Sequence, residues 1–209
     1  MKTRSSVNPR APLSRRLVAA AFAVAFASTL AGCTTQSGGL SDDYNQGDSG
    51  GNYISGDGTV VVVPTGNRGE AVAYAGTTDG GDDLSSDDLA GQVTVLNFWY
   101  AQCGPCRVEA PDLQKLHEQF GDDVAFVGVN VRDDAAGARS FAEKFGITYP
   151  SILDVGENDV VLAFAGDVPP NAVPTTLLID KEGRVAARFS GAIASPSSVS
   201  DVLDDLLAE

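Results

Sequence analysis

Cys103 and Cys106 enclose Gly104 and Pro105 in the stretch WYAQCGPCRVEAP, Trp99 to Pro111. Two thiols at this spacing can form a structural clip, part of a metal site, or a couple that takes up and releases two electrons. A zinc site needs four ligands, and the chain offers one histidine, His117, and no second cysteine pair. A purely structural disulfide across two residues closes a loop too small to stabilise much. These residue types favour the redox couple. The rival is a non-catalytic binding or chaperone protein in which the disulfide is only structural.

The thiolate is the reactive form of cysteine, and the free N–H groups and positive dipole end at a helix N-terminus lower a thiol pKa. An apolar run ends just before Cys103 and helical spacing begins there, so Cys103 receives this effect most. Cys106, one turn on, is expected to be more buried yet within reach. Pro105 suits a first turn, where no donor is needed, and Gly104 leaves room for a partner. Cys103 should therefore attack a disulfide, and Cys106 should resolve the mixed disulfide. Glu109, three residues past Cys106, shares its helical face. If buried, its carboxylate would raise the cysteine pKa values by like-charge repulsion; if solvated, it would do nothing. Asn97 cannot ionise and reads as a hydrogen-bonded core amide. His117, toward the far end of the same helix, reads as a surface residue.

The elements that must hold this pair are legible from periodicity. Val93–Tyr100 (VTVLNFWY) reads as a buried central strand, 103–120 as a helix ended by Gly121, and Val124–Val131 as a second buried strand. Ala135–Phe145 is a helix ended by Gly146, Ser151–Leu153 an edge strand, and Asp159–Phe164 a short helix. Thr175–Asp180 and Val185–Ser190 form a hairpin across KEGR, and Ser197–Ala208 is an amphipathic helix with Val199, Val202, Leu203 and Leu206 on one face. Upstream, Thr59–Pro64 (TVVVVP) and Glu70–Ala75 read as strands, and Leu84–Gly91 as a capped turn of helix. The order demands parallel neighbours first and antiparallel strands later. The fold class is α/β, a mixed sheet with helices on both faces and an N-terminal β extension.

The chain has 209 residues, enough for one domain with its own core. Its first 32 residues are a separate matter. Five basic residues and no acid precede the apolar run LVAAAFAVAFASTL, and Leu30-Ala31-Gly32-Cys33 follows. That is the layout of an export signal, and its end resembles the lipobox of bacterial lipoproteins. The resemblance implies lipid on Cys33 after cleavage of 1–32; an uncleaved anchor with an incidental Cys33 is the alternative. Ser14-Arg15-Arg16 is loosely like a twin-arginine signal, and the export route stays open. With Cys33 lipidated, only Cys103 and Cys106 remain as thiols. Residues 33–58, rich in Gly, Ser and Asp, read as a flexible tether to a domain spanning 59–209. Their aspartates do not have the spacing of a calcium loop, and no metal is expected. Cleavage leaves nine basic against 28 acidic residues, a charge of −19. Nucleic acid is excluded as a partner by charge.

NFWYAQCGPCRVEAP resembles the active site of thioredoxin-fold proteins, most nearly the membrane-tethered TlpA/ResA-like thiol-disulfide oxidoreductases of bacteria. The resemblance extends from about Thr59 to the C-terminus. Asn97 in place of a buried aspartate, Glu109 three residues after the second cysteine, and Phe145-Gly146-Ile147-Thr148-Tyr149-Pro150 fit that branch. Val173-Pro174-Thr175-Thr176 resembles the family's cis-proline loop. Gln102 departs from the usual tryptophan, and Tyr100-Ala101 also departs, which changes the surface partners meet. The resemblance implies a cis Val173–Pro174 bond facing the cysteines, with the Val173 backbone free to pair with an extended substrate. It also implies a lipid-anchored enzyme on the extracytoplasmic face of the cell membrane. Electrons would come from a membrane thiol carrier and pass to exported proteins, among them apocytochrome c, with no cofactor beyond the two cysteines. A disulfide-forming oxidant is the alternative enzyme. Peroxidase chemistry is disfavoured, since no threonine stands three residues before Cys103.

Overall fold

Seven strands lie side by side in one sheet, and the order of those strands sets where the cysteines stand. The computed structural model describes residues 53–54, 60–168 and 172–209. Residues 1–32, Cys33 and most of the expected tether lie outside the described residues. The strands of the sheet are β1 (Tyr53–Ile54), β2 (Val60–Val62), β5 (Val93–Trp99), β6 (Val124–Asn130), β7 (Ser151–Leu153), β8 (Thr175–Ile179) and β9 (Val185–Ser190), in spatial order β1-β2-β9-β8-β5-β6-β7. β5 pairs parallel with β6 and antiparallel with β8, so the expected mixed sheet is present with β5 at its centre. Every residue of β5 is buried, as a strand covered on both faces requires.

The helices are α1 (Gly104–Phe120), α2 (Ala135–Phe145), α3 (Asp159–Ala163) and α4 (Pro196–Ala208). Alternation along β5 divides the core. Val93 and Val95 point to Leu113, Leu116 and Phe120 of α1 and to Val199, Leu203 and Leu206 of α4. Leu96 and Phe98 point the other way, to Val160 of α3, Phe164 and Tyr74. Helices thus cover both faces.

Three features differ from the sequence reading. Of Glu70–Ala75, expected as a strand, Glu70–Tyr74 is an extended segment whose Val72 N–H donates to the Gly183 carbonyl. Pairing begins only at β3 (Ala75–Thr77), which forms a separate two-stranded sheet with β4 (Asp83–Ser85). A 3-10 turn over Ser86–Leu89 follows, closed by reciprocal Ser85 and Asp88 hydrogen bonds, so the capped turn is correct but shorter than expected. Tyr53–Ile54, inside the stretch expected as tether, pairs antiparallel with β2. α1 also runs through Pro111, which cannot donate to the Arg107 carbonyl.

Candidate active site

β5 ends at Trp99, the chain turns through Tyr100–Gln102, and α1 begins with Cys103 as its N-cap. Cys103 N–H donates to the Tyr100 carbonyl at 3.1 Å. The preceding loop is held from outside by Asp133, whose carboxylate accepts the Ala101 N–H at 2.6 Å and the Asn130 Nδ2–H at 2.9 Å. Sequence reasoning missed this clamp, because nothing local marks a loop 30 residues downstream as its partner.

Cys103 and Cys106 are joined in a disulfide. The Cys106 N–H donates to Cys103 Sγ at 3.2 Å, the helix N-terminal interaction expected of the attacking sulfur. Burial does not separate the pair as expected: Cys103 is 3% exposed and Cys106 2%. The difference between the two sulfurs rests on the helix N–H groups. The Val173–Pro174 bond is cis, and the Val173 carbonyl lies 3.9 Å from Cys103 Sγ. A disulfide sulfur carries no proton, so this is a contact and not a hydrogen bond. Residues 103, 106, 173 and 174 therefore come together as the resemblance implied.

Glu109 is 1% exposed. Its Oε1 accepts from Asn97 Nδ2 at 2.9 Å and its Oε2 from the Ile193 N–H at 3.0 Å. Burial pushes its carboxyl up to about 7, against the two donors, which favour the ionised form. Burial, and then the nearby Glu109 charge, raise the Tyr149 hydroxyl. Asn97 also donates to Thr176 Oγ1 at 3.0 Å, so the core amide links the proline loop to Glu109. Periodicity showed each residue's face but not this contact between strand and helix.

Trp99 stacks on Phe141 with ring centroids 4.2 Å apart, and its indole N–H donates to Ser151 Oγ at 3.3 Å. A side chain on Gly128 would collide with both groups. Trp99, Phe141, Ala110 and Ala138 pack with the two cysteines in one apolar cluster. A small cavity borders Cys106 between Asn97, Trp99, Ala110 and Tyr149. His117 is not a plain surface residue. Its ring packs 5.3 Å from Phe126 and 5.5 Å from Tyr149, with Nδ1 buried. Arg107 folds back to donate to the Ala101 carbonyl at 3.3 Å. Among the described residues no group of three His, Cys, Asp or Glu is placed to hold a metal ion. The arrangement can perform thiol–disulfide exchange.

The Redoxin family matches residues 64–206. The chain is 37% identical over 105 residues to the thiol-disulfide oxidoreductase ResA of Geobacillus thermodenitrificans, covering 50% of this chain and 58% of that relative. It thus spans less than two thirds of that curated relative. Among solved structures, a DsbF homologue from Corynebacterium diphtheriae superposes with a TM-score of 0.67 at 35% identity, covering 75% of this chain and all of the other. A secreted thiol-disulfide isomerase from Corynebacterium glutamicum gives 0.67 at 32% identity, over 76% of this chain and 98% of the other. Both likenesses are to thioredoxin-fold proteins.

Proposed function

The chain belongs to the Redoxin family, and from that premise we propose that it is a thiol-disulfide oxidoreductase that reduces disulfides of exported proteins. The observation that carries the reading is the Cys103–Cys106 disulfide at the N-terminus of α1, with the Val173 carbonyl 3.9 Å from Cys103 Sγ. In the reduced protein the Cys103 thiolate attacks one sulfur of a partner disulfide. The partner's other sulfur leaves as a thiolate and takes up a proton. Cys106 then loses its proton and attacks Cys103 Sγ. The internal disulfide forms, and the second partner cysteine leaves as a thiolate. Two electrons pass from the cysteine pair to the partner, and no cofactor takes part. A membrane thiol carrier restores the dithiol. The backbone at Val173 and Pro174 aligns the partner as an extended strand.

Export and lipid on Cys33 would place the domain on the extracytoplasmic face of the membrane, with exported proteins, apocytochrome c included, as substrates. Support comes from the basic–apolar–LAGC layout of residues 1–33. The full chain is expected to reduce insulin with turnover that Cys103→Ser abolishes, and Cys106→Ser is expected to trap exported proteins on Cys103. Absence of cysteine-dependent turnover would leave the binding or chaperone reading in its place. A disulfide-forming oxidant is favoured by one observation: the Arg107 guanidinium donates to the Ala101 carbonyl, in the loop that leads into Cys103. The redox potential separates the two directions.

A further inference from the structure

Nine cationic side chains stand among the described residues, against a large excess of acids. Arg68 and Arg184 bind Asp180 and its neighbours, and Lys115 binds Asp112. Arg188 donates to the Asp167 carbonyl and Lys181 to that of Leu207. Arg107, Arg132, Arg139 and Lys144 have no carboxylate partner among the described residues. In so acidic a chain, six of the nine cations, Arg188 and Lys181 included, form no ion pair among the described residues.

Three of them sit on aromatic rings beside the disulfide. The Arg132 guanidinium lies 4.1 Å from the Tyr100 ring centroid. Arg107 and Lys144 each lie 5.6 Å from that of Phe145. Tyr100 and Phe145 pack against the apolar cluster that contains Cys103 and Cys106. Both rings thus touch the redox cluster and carry at least one cation. Of the nearby carboxylates, Glu143 is exposed beside Lys144, and the others are engaged with backbone or lie within the core. Asp133 accepts from Ala101 N–H, Asp134 caps α2 through the Gly137 N–H, and Glu109 is buried. Val108, 74% exposed, adds apolar surface next to Arg107.

We propose that this cationic aromatic rim selects partners in which an acidic side chain lies two or three residues from the reacting cysteine. The inference rests on the redox reading of the site. An extended segment rises about 3.3 Å per residue and presents alternate side chains to one face. A residue two from the cysteine therefore stands roughly 7 Å along the rim, within reach of an arginine. Stacking uses the faces of a guanidinium and leaves N–H groups in its plane for a carboxylate. The remote acids of the chain oppose such a partner, but charges beyond about 10 Å are largely screened at 0.1 M salt, whereas contacts persist.

The test uses the reduced full chain and synthetic cystine peptides that differ only in carrying Glu, Gln or Lys two residues from cysteine. Trp99 fluorescence follows the second-order rate. At about 0.1 M salt the Glu peptide is expected to react roughly 1.5- to fivefold faster than the Lys peptide, the range expected of an exposed ion pair. The ratio should fall toward one at about 1 M salt. It should collapse in R107Q/R132Q and persist in Lys115→Gln, which removes a charge away from the rim. Equal rates in the unaltered chain, faster reaction of the Lys peptide, or a ratio unchanged in the double variant would overturn the proposal. Should the double variant not fold, the ratio and its salt dependence in the unaltered chain decide. Failure to reduce any of the peptides would instead strike the redox reading itself, and this inference with it.

Discussion

Glu109 faces two hydrogen-bond donors, Asn97 Nδ2 and the Ile193 N–H, in a site closed to solvent. Its folded value, about 7, lies above the ordinary 4.5, so the folded state holds a proton that the unfolded state has released between those values. The resulting stability is fully present below pH 4.5 and is lost as pH rises through 7. In the oxidised protein, where no thiol titrates, unfolding free energy should fall by about 3 kcal/mol between pH 4 and 8 on this account. Urea titrations across that range check it, with Glu109→Gln as the comparison. The variant should show a flatter pH profile, yet be about 1–3 kcal/mol less stable at pH 5, because its amide sets a donor against a donor. A profile as steep in Glu109→Gln as in the parent would assign the slope elsewhere. At Cys103 the helix N–H contact replaces exposure as the reason for reactivity. Alkylation of the reduced protein at neutral pH should modify Cys103 faster than Cys106, read by peptide mass, and equal rates would remove Cys103 as the nucleophile.

Arg68 binds the last element of the chain to the sheet. Its guanidinium, 4% exposed, reaches Asp180 at 3.0 Å just after β8 and Glu209 at 2.6 Å just beyond α4. Removing one partner of a buried pair costs about 3–5 kcal/mol. Because Arg184 also holds Asp180, at 2.8 Å, Arg68→Ala should cost about 3 kcal/mol, measured by urea unfolding. A cost below about 1 kcal/mol would show that Arg184 alone neutralises Asp180. Nothing in the sequence announces this tie, since its members are 112 and 141 residues apart. Local pattern, by contrast, exposed β5, α1, β6, α2, the β8–β9 hairpin and α4, all of which have long or strongly periodic apolar faces. It failed at β3 and β4, three residues each, where Gly76 interrupts any alternation and register alone makes the strands. It also overread the alternation in Glu70–Tyr74, which packs on the far face of the sheet without a partner strand. At the site, the cysteines, Glu109 and the proline loop could be read from motif and spacing. The Asp133 clamp and the stacked arginines could not, because the loop after β6 meets the loop after β5 only in three dimensions.

At the scale of the molecule the question is the direction of electron flow, and charge decides it through the Cys103 thiolate. The net charge of −14 opposes a thiolate, but charges more than a Debye length away are screened in salt. The near groups matter more. The Cys106 N–H at 3.2 Å favours the thiolate, as do Arg107, Arg132 and Lys144; ionised Glu109 opposes it. Exposed cations contribute about 0.2–1 kcal/mol each, so the three together favour the reduced form by at most about 3 kcal/mol, and every 1.4 kcal/mol makes the couple about 30 mV more oxidising. Thioredoxin, with a potential near −270 mV, is the starting point because it has the same Gly-Pro dipeptide. The expected potential is then roughly −210 to −240 mV, well short of the −120 mV of the strong oxidant DsbA. The remaining gap of about 90 mV is near 4 kcal/mol for two electrons, more than the near groups can supply. Equilibration of the full chain with glutathione buffers, read by Trp99 fluorescence, measures it. A value more oxidising than about −180 mV, typical of protein disulfide isomerase, would mean that the arginine rim outweighs Glu109, and would replace the proposed reductant with the disulfide-forming alternative.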